Sequence, residues 1–138
     1  MGAWSHESFG CDEACDWADR FRTSADLAVV EAGLDEVLAA GDDVELDAIA
    51  GTGGICAAEA VARLRGHFGI RDAYSADVDA WVERVRVQPS PALVAKALRA
   101  LDRILAAPSE LCLLWSDARD GGAAWRAGVE ELKGRVGA

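Results

Sequence analysis

The chain has 138 residues, 51% hydrophobic and 28% charged, the balance of one globular domain rather than of a disordered chain. No apolar run approaches the roughly 18 residues of a membrane-spanning helix, so no membrane span is expected. The net charge of −10 is uneven: residues 1–62 carry fourteen acids and two bases, residues 63–138 ten acids and twelve bases, and an acidic first half repels phosphate and argues against nucleic acid.

Residues 1–11 read as an N-terminal arm, and the opening stretch MGAWSHESFGCDEACDWADRF is dense in large aromatics and acids. Trp4, Phe9 and Trp17 are expected to be apolar anchors that pin this arm to the rest of the molecule, with Trp4 buried. A helix starts near Asp12 and sets Trp17 and Phe21 four apart, with Cys15 and Ala18 close by. Asp12 and Asp16 share one face of it. Their expected roles are structural: Asp12 satisfies first-turn amides, and Asp16 accepts from the arm backbone or the Trp4 indole.

A second helix spans 24–40, with Ser24 as N-cap, a stripe of Leu27, Val30, Leu34, Val37 and Leu38, and Gly41 just past its end. Residues 57–64 are strongly helix-forming, and Gly66 can stop them. The GTGG at 51–54 is either a helix break or a close-packed segment inside one long helix; it lacks the lysine and spacing of a phosphate loop. Ser75 is expected to cap a helix running to Arg86, with Val78, Trp81, Val82 and Val85 inward. Ser90-Pro91 is a strong helix start. It is followed by the stripe Leu93, Val94, Ala97, Leu98, Leu101, Ile104 and Leu105. Ser109 can cap a short helix through Trp115. Asp120 begins a last one, in which Trp125, Val129, Leu132 and Val136 repeat at helical spacing. Trp81, Trp115 and Trp125 are expected in the core. The sum is an all-α, single-domain bundle of six or seven short helices over residues 1–138, with the ordered arm at 1–11.

The start MGAW, then Phe9, Asp12, Ala14 and Asp16-Trp17, resembles a bacterial family of uncharacterised proteins, domain-of-unknown-function family 4259. AAEAVARLRG at 57–66, LVAKALRALDRIL at 93–105, SELCLLW at 109–115 and the terminal AW-x3-V-x2-L pattern extend the similarity over nearly the whole chain. Ser5 stands where the family usually has glycine, and Cys11 where it often has asparagine; the loss of that side-chain cap leaves Asp12 to cap the first helix alone. The resemblance implies an all-helical fold and a bacterial source. It implies no activity. Twelve arginines against two lysines fit the same GC-rich bacterial origin.

Candidate chemistry is sparse. His6, Cys11 and Cys15 form H-x4-C-x3-C, a spacing that matches no common zinc signature, so no metal and no cofactor is expected. The two histidines, His6 and His67, give no nucleophile-and-base constellation, and the chain is read as leaning away from enzymes. Cys11, Cys15, Cys56 and Cys112 show no paired spacing and read as reduced. With no basic and apolar leader in view, the expected compartment is the cytoplasm. Arg84, Arg86, Lys96, Arg99 and Arg103 form a modest basic strip, read as a solvated helix face.

The leading expectation is a protein–protein interaction module that engages a basic protein; in its sharpest form it neutralises a cationic partner such as a nuclease toxin. The acids clustered around Gly41 would form the dock: Asp35, Glu36, Asp42, Asp43, Glu45 and Asp47. The rival is a small-ligand binder or enzyme with a pocket between the arm and the bundle, using His6, Asp12 and Asp16. No coiled-coil run specifies a homodimer.

Overall fold

The structure, a computed structural model, describes residues 6–138. Among them are seven α-helices: α1 (Asp12–Asp19), α2 (Ala28–Ala39), α3 (Ala48–Leu64), α4 (Ala76–Val85), α5 (Pro91–Leu105), α6 (Glu110–Ser116) and α7 (Ala123–Gly137). A 3-10 turn, Arg20–Thr23, continues α1. The described residues hold no strand, and one isolated bridge joins Leu46 to Ser109. The all-α single-domain architecture expected from the helical periodicity is therefore the one observed. Trp4 lies outside the described residues.

The organising element is α3. Every residue from Ala50 to Leu64 is buried, and each of the other helices packs against it. Its sequence, AIAGTGGICAAEAVARL, explains this: a helix that is apolar or small all round has no face for solvent. The GTGG segment does not break the helix. It lets neighbours approach: a Cβ on Gly53 would lie 2.7 Å from Trp17 Nε1, and one on Gly54 only 2.5 Å from Val37 Cγ2. The Trp17 ring is clasped from the other side by Gly33 of α2, where a Cβ would lie 2.5 Å from Cζ2. Phe21 then stacks edge-on against Trp81 at a centroid distance of 4.7 Å, both fully buried.

Several helix ends follow the local signals. Gly41 and Gly66 take positive φ as C-terminal glycines. Past α3, Gly66 N–H donates to Arg63 O and His67 N–H to Ala62 O, the two bonds of a Schellman motif. Ser90 and Ser109 accept from the amides of Leu93 and Cys112, and Asp47 accepts from Ala50 at 2.8 Å. Asp120 accepts from Gly122 and Ala124 at the start of α7, and these amide donors pull its carboxyl below the ordinary range.

Three capping expectations are corrected. Cys11, not Asp12, is the N-cap of α1: its backbone is extended and its Sγ accepts from Ala14 N–H at 3.4 Å, which leaves Asp12 in the first turn facing solvent. Ser24 sits too far upstream to cap α2; the Asp26 carboxylate accepts from Ala28 N–H instead. Ser75 does occupy the N-cap of α4 but makes no cap bond, because its hydroxyl donates to Asp79 within the buried interior. Asp72 accepts from the Tyr74 and Ser75 amides in the turn that leads into α4.

The basic strip is also corrected. Arg103 is 9% exposed, and its guanidinium donates to the carbonyls of Gly41, Val44, Ala106 and Pro108. It ties the 41–46 connection to the end of α5. Asp102 pairs with Lys133 at 2.7 Å rather than with the neighbouring arginines. Arg103→Met keeps the stem but strands several buried carbonyls, so it should lower stability by about 2–3 kcal/mol. Hydrogen exchange should rise selectively over residues 41–46; unchanged exchange there would contradict this role.

Candidate ligand-binding cleft

The arm from His6 to Cys11 lies across one side of the bundle. Phe9 is buried, Gly10 N–H turns back to Glu7 O, and the Ser8 hydroxyl donates to Glu59 Oε2 at 2.6 Å. Between the arm, one side of α3 from Ala48 to Arg63, α6, α7 and the 70–74 connection opens a cleft of about 1150 Å³. Its walls are mostly apolar, with Ile55 and Leu111 from α3 and α6 and Trp125 and Val129 from α7. Several apolar residues are left on its rim in solvent: Ile49 is 61% exposed, Ile70 56% and Leu114 41%. Trp115, expected in the core, is only half-buried and lines this cleft, whereas Trp81 and Trp125 are buried as expected.

The floor is a buried charge network. Glu59 receives Arg135 Nη1 and Nη2 at 3.0 and 2.9 Å and Arg63 Nε at 3.2 Å. Arg63 also donates to Asp79 at 2.5 Å and to Ile70 O at 2.7 Å, with the rings of Phe9 and Phe68 5.5 and 5.7 Å from its guanidinium carbon. Burial pushes the Glu59 carboxyl up, but the hydrogen bonds and charge of Arg135, the charge of Arg63 and the Ser8 hydroxyl outweigh it, so the group sits below its ordinary value. Burial opposes the charge of Arg135, but its hydrogen bonds and charge pairing with Glu59 and Glu131 outweigh this and raise its already high value. Each nitrogen of both guanidiniums in the floor donates to a protein acceptor. The rest of the lining is different: outside the floor it holds seven carboxylates and no lysine or arginine.

Of the residues singled out for a pocket, His6 and Asp12 line the cleft and Asp16 does not. The six acids of the expected dock lie elsewhere. Asp35 pairs with Lys96 at 2.7 Å, Asp47 caps α3, and Glu36, Asp42, Asp43 and Glu45 are exposed around the end of α2. The cysteines do not form a ligand set with His6: Cys11 caps α1, Cys15 Sγ donates to Phe9 O at 3.8 Å, and no group of three or more metal-ligating side chains is present among the described residues. Burial raises the thiols of Cys11, Cys15 and Cys56, the last well above its ordinary 9.0, so these are neutral thiols.

Glu59, Arg63 and Arg135 were not legible as a site. One signal was present: α3 carries only two charges, four residues apart, in an otherwise uncharged seventeen-residue run. Charges in a helix with no polar face must be buried, and buried charges need partners. No helix among the described residues is long and apolar enough to cross a membrane. Neither a curated protein nor a solved structure matches the chain. The family model of a domain of unknown function (DUF4259) matches residues 2–128, and the chain belongs to that family.

Proposed function

We propose that the protein is a non-catalytic binding module and that the cleft between arm and bundle is its binding surface. The observation that carries this is the grouping of exposed apolar side chains, Ile49, Ile70 and Leu114, around one large concave site. Scattered exposed apolar residues need no explanation, but several on the rim of one apolar cavity mark a place where a ligand replaces water. The cleft supports this reading over the acidic segment at 42–47 as the primary contact, because that segment offers charge without a concave apolar surface. A cytoplasmic setting belongs to the same reading, since four free cysteines suit a reducing compartment.

A neutral fluorescent probe, N-phenyl-1-naphthylamine, tests it. Saturable enhancement is expected with the native chain, and Leu114→Arg should weaken it roughly tenfold by placing a charge on the apolar rim. Leu114 is 41% exposed, so the unfolding midpoint should hardly move. Absence of saturable binding, or equal binding by the variant, would overturn the proposal.

A further inference from the structure

Resting on the cleft being the binding site, we infer that its occupant is a basic amphipathic helix of a partner protein. Size is the first argument. At about 1150 Å³ the cleft exceeds the ~300–1,000 Å³ usual for small-molecule pockets and has room for the apolar face of a short helix. Charge is the second. Outside the floor, carboxylates reach the cleft from every surrounding element but α3: Glu7 from the arm, Asp12 and Glu13 from α1, Asp72 from the 70–74 connection, Glu110 and Asp117 from the two ends of α6, and Glu131 from α7. Some are already engaged, since Glu131 pairs with Arg135 and Glu110 accepts from Ala48 N–H, but the balance stays strongly negative.

The floor argues against an anionic occupant such as a fatty acid. Arg63 gives its donors to Glu59, Asp79 and Ile70 O, and Arg135 gives its donors to Glu59, Glu131 and His67 O. An incoming carboxylate would cross an acidic rim only to meet guanidiniums already paired with Glu59, Asp79 and Glu131. A lysine- or arginine-bearing helix meets neither barrier. Its apolar residues at i, i+3, i+4 and i+7 fill the cleft, and its long cationic side chains lay their stems on Ile49 and Leu114 with their heads among the carboxylates. The net charge of −10 speeds the encounter with such a segment.

Three synthetic peptides of about eighteen residues test the inference. One carries leucine at helical spacing with lysine on the polar face. The second has glutamate for every lysine. The third scrambles the first so that the apolar stripe is lost. Titration calorimetry against the full chain should show binding of the lysine peptide, at least tenfold weaker binding of the other two, and a marked loss on raising salt from about 50 to about 300 mM. Combined Asp12→Asn, Glu13→Gln and Asp117→Asn should weaken the lysine peptide roughly tenfold and flatten its salt dependence. Glu36→Gln, Asp42→Asn and Asp43→Asn, which remove the same charge away from the cleft, should change it less than about twofold.

Equal affinity for the lysine and glutamate peptides would overturn the charge argument while the neutral probe still reports the cleft. Equal affinity for the ordered and scrambled peptides would reduce the interaction to general attraction and overturn the helix. Binding of dodecylammonium with no binding of any peptide would make the occupant a small cation. A concentration-dependent dimer that excludes the probe would make it a second copy. Loss of probe and peptide binding together would remove the cleft reading itself.

Discussion

Trp17→Ala should destabilise the protein by about 3–5 kcal/mol, the range of large buried aromatic truncations. The ring is 6% exposed, lies 5.5 Å from the Phe21 ring and has the Arg20 guanidinium 5.6 Å from its own centroid. Its seat is made of two glycines, Gly33 on α2 and Gly53 on α3, neither of which has a side chain to move into the space the indole would leave. Gly53→Ala gives the sharper test. In the native background its Cβ would meet Trp17 Nε1 at 2.7 Å, and displacing a close-packed indole should cost about 1–3 kcal/mol. In the Trp17→Ala background the same substitution meets no ring, and the helix propensity of alanine should make it stabilising by roughly 0.5–1 kcal/mol. Urea unfolding of the four proteins reads out the sign change. An equal penalty in both backgrounds would refute the fit of indole into glycine seat.

Arg63→Met is expected to cost about 3–5 kcal/mol at neutral pH, because it leaves Glu59 and Asp79 buried with one fewer countercharge. The Arg63 side chain is 1% exposed, and the Glu59 and Asp79 side chains are 4% and 9% exposed, so solvent cannot take over the pairing. A conservative companion, Glu59→Gln, isolates the pH dependence. With its folded value lowered from 4.5, ionised Glu59 contributes stability that is complete above that value and is lost as pH falls through the lower folded one. The gap between native protein and Glu59→Gln should therefore be widest at neutral pH and close progressively below about pH 4.5. A gap that stays constant down to about pH 3 would show that the Glu59 charge is not what the network stabilises.

Much of the fold could be read from residues close together in the chain. Ser90-Pro91 opens α5, Gly66 closes α3 and the Leu93-to-Leu105 stripe faces inward, because caps, positive-φ glycines and 3.6-residue periodicity act within one or two turns. The family signature at the start of the chain was legible for the same reason. The failures share a different cause. Arg103 sits on α5 in a stretch whose other charged residues are not buried, and nothing nearby shows that its guanidinium reaches carbonyls as far away as Gly41 and Val44. The cap expected of Asp12 is made by the Cys11 sulfur, one residue earlier, and the Ser75 hydroxyl is drawn away from the α4 amides by the buried Asp79 carboxylate, to which it donates.

The candidate site divides along the same line. An arm packed by Phe9, a pocket beside it and a role for His6 and Asp12 in lining that pocket could be anticipated from residue types alone. The charged floor could not. Arg135 meets Glu59 across 76 positions, and Arg63 meets Asp79 across 16. What the sequence determined by itself is where the helices run, since each is specified by short-range hydrogen bonding and by its own apolar stripe. Only the tertiary structure decided which charges are buried, which apolar residues remain uncovered and where a cleft opens. Those outcomes depend on how separate helices fill space against one another, and close packing of distant side chains leaves no local periodic trace.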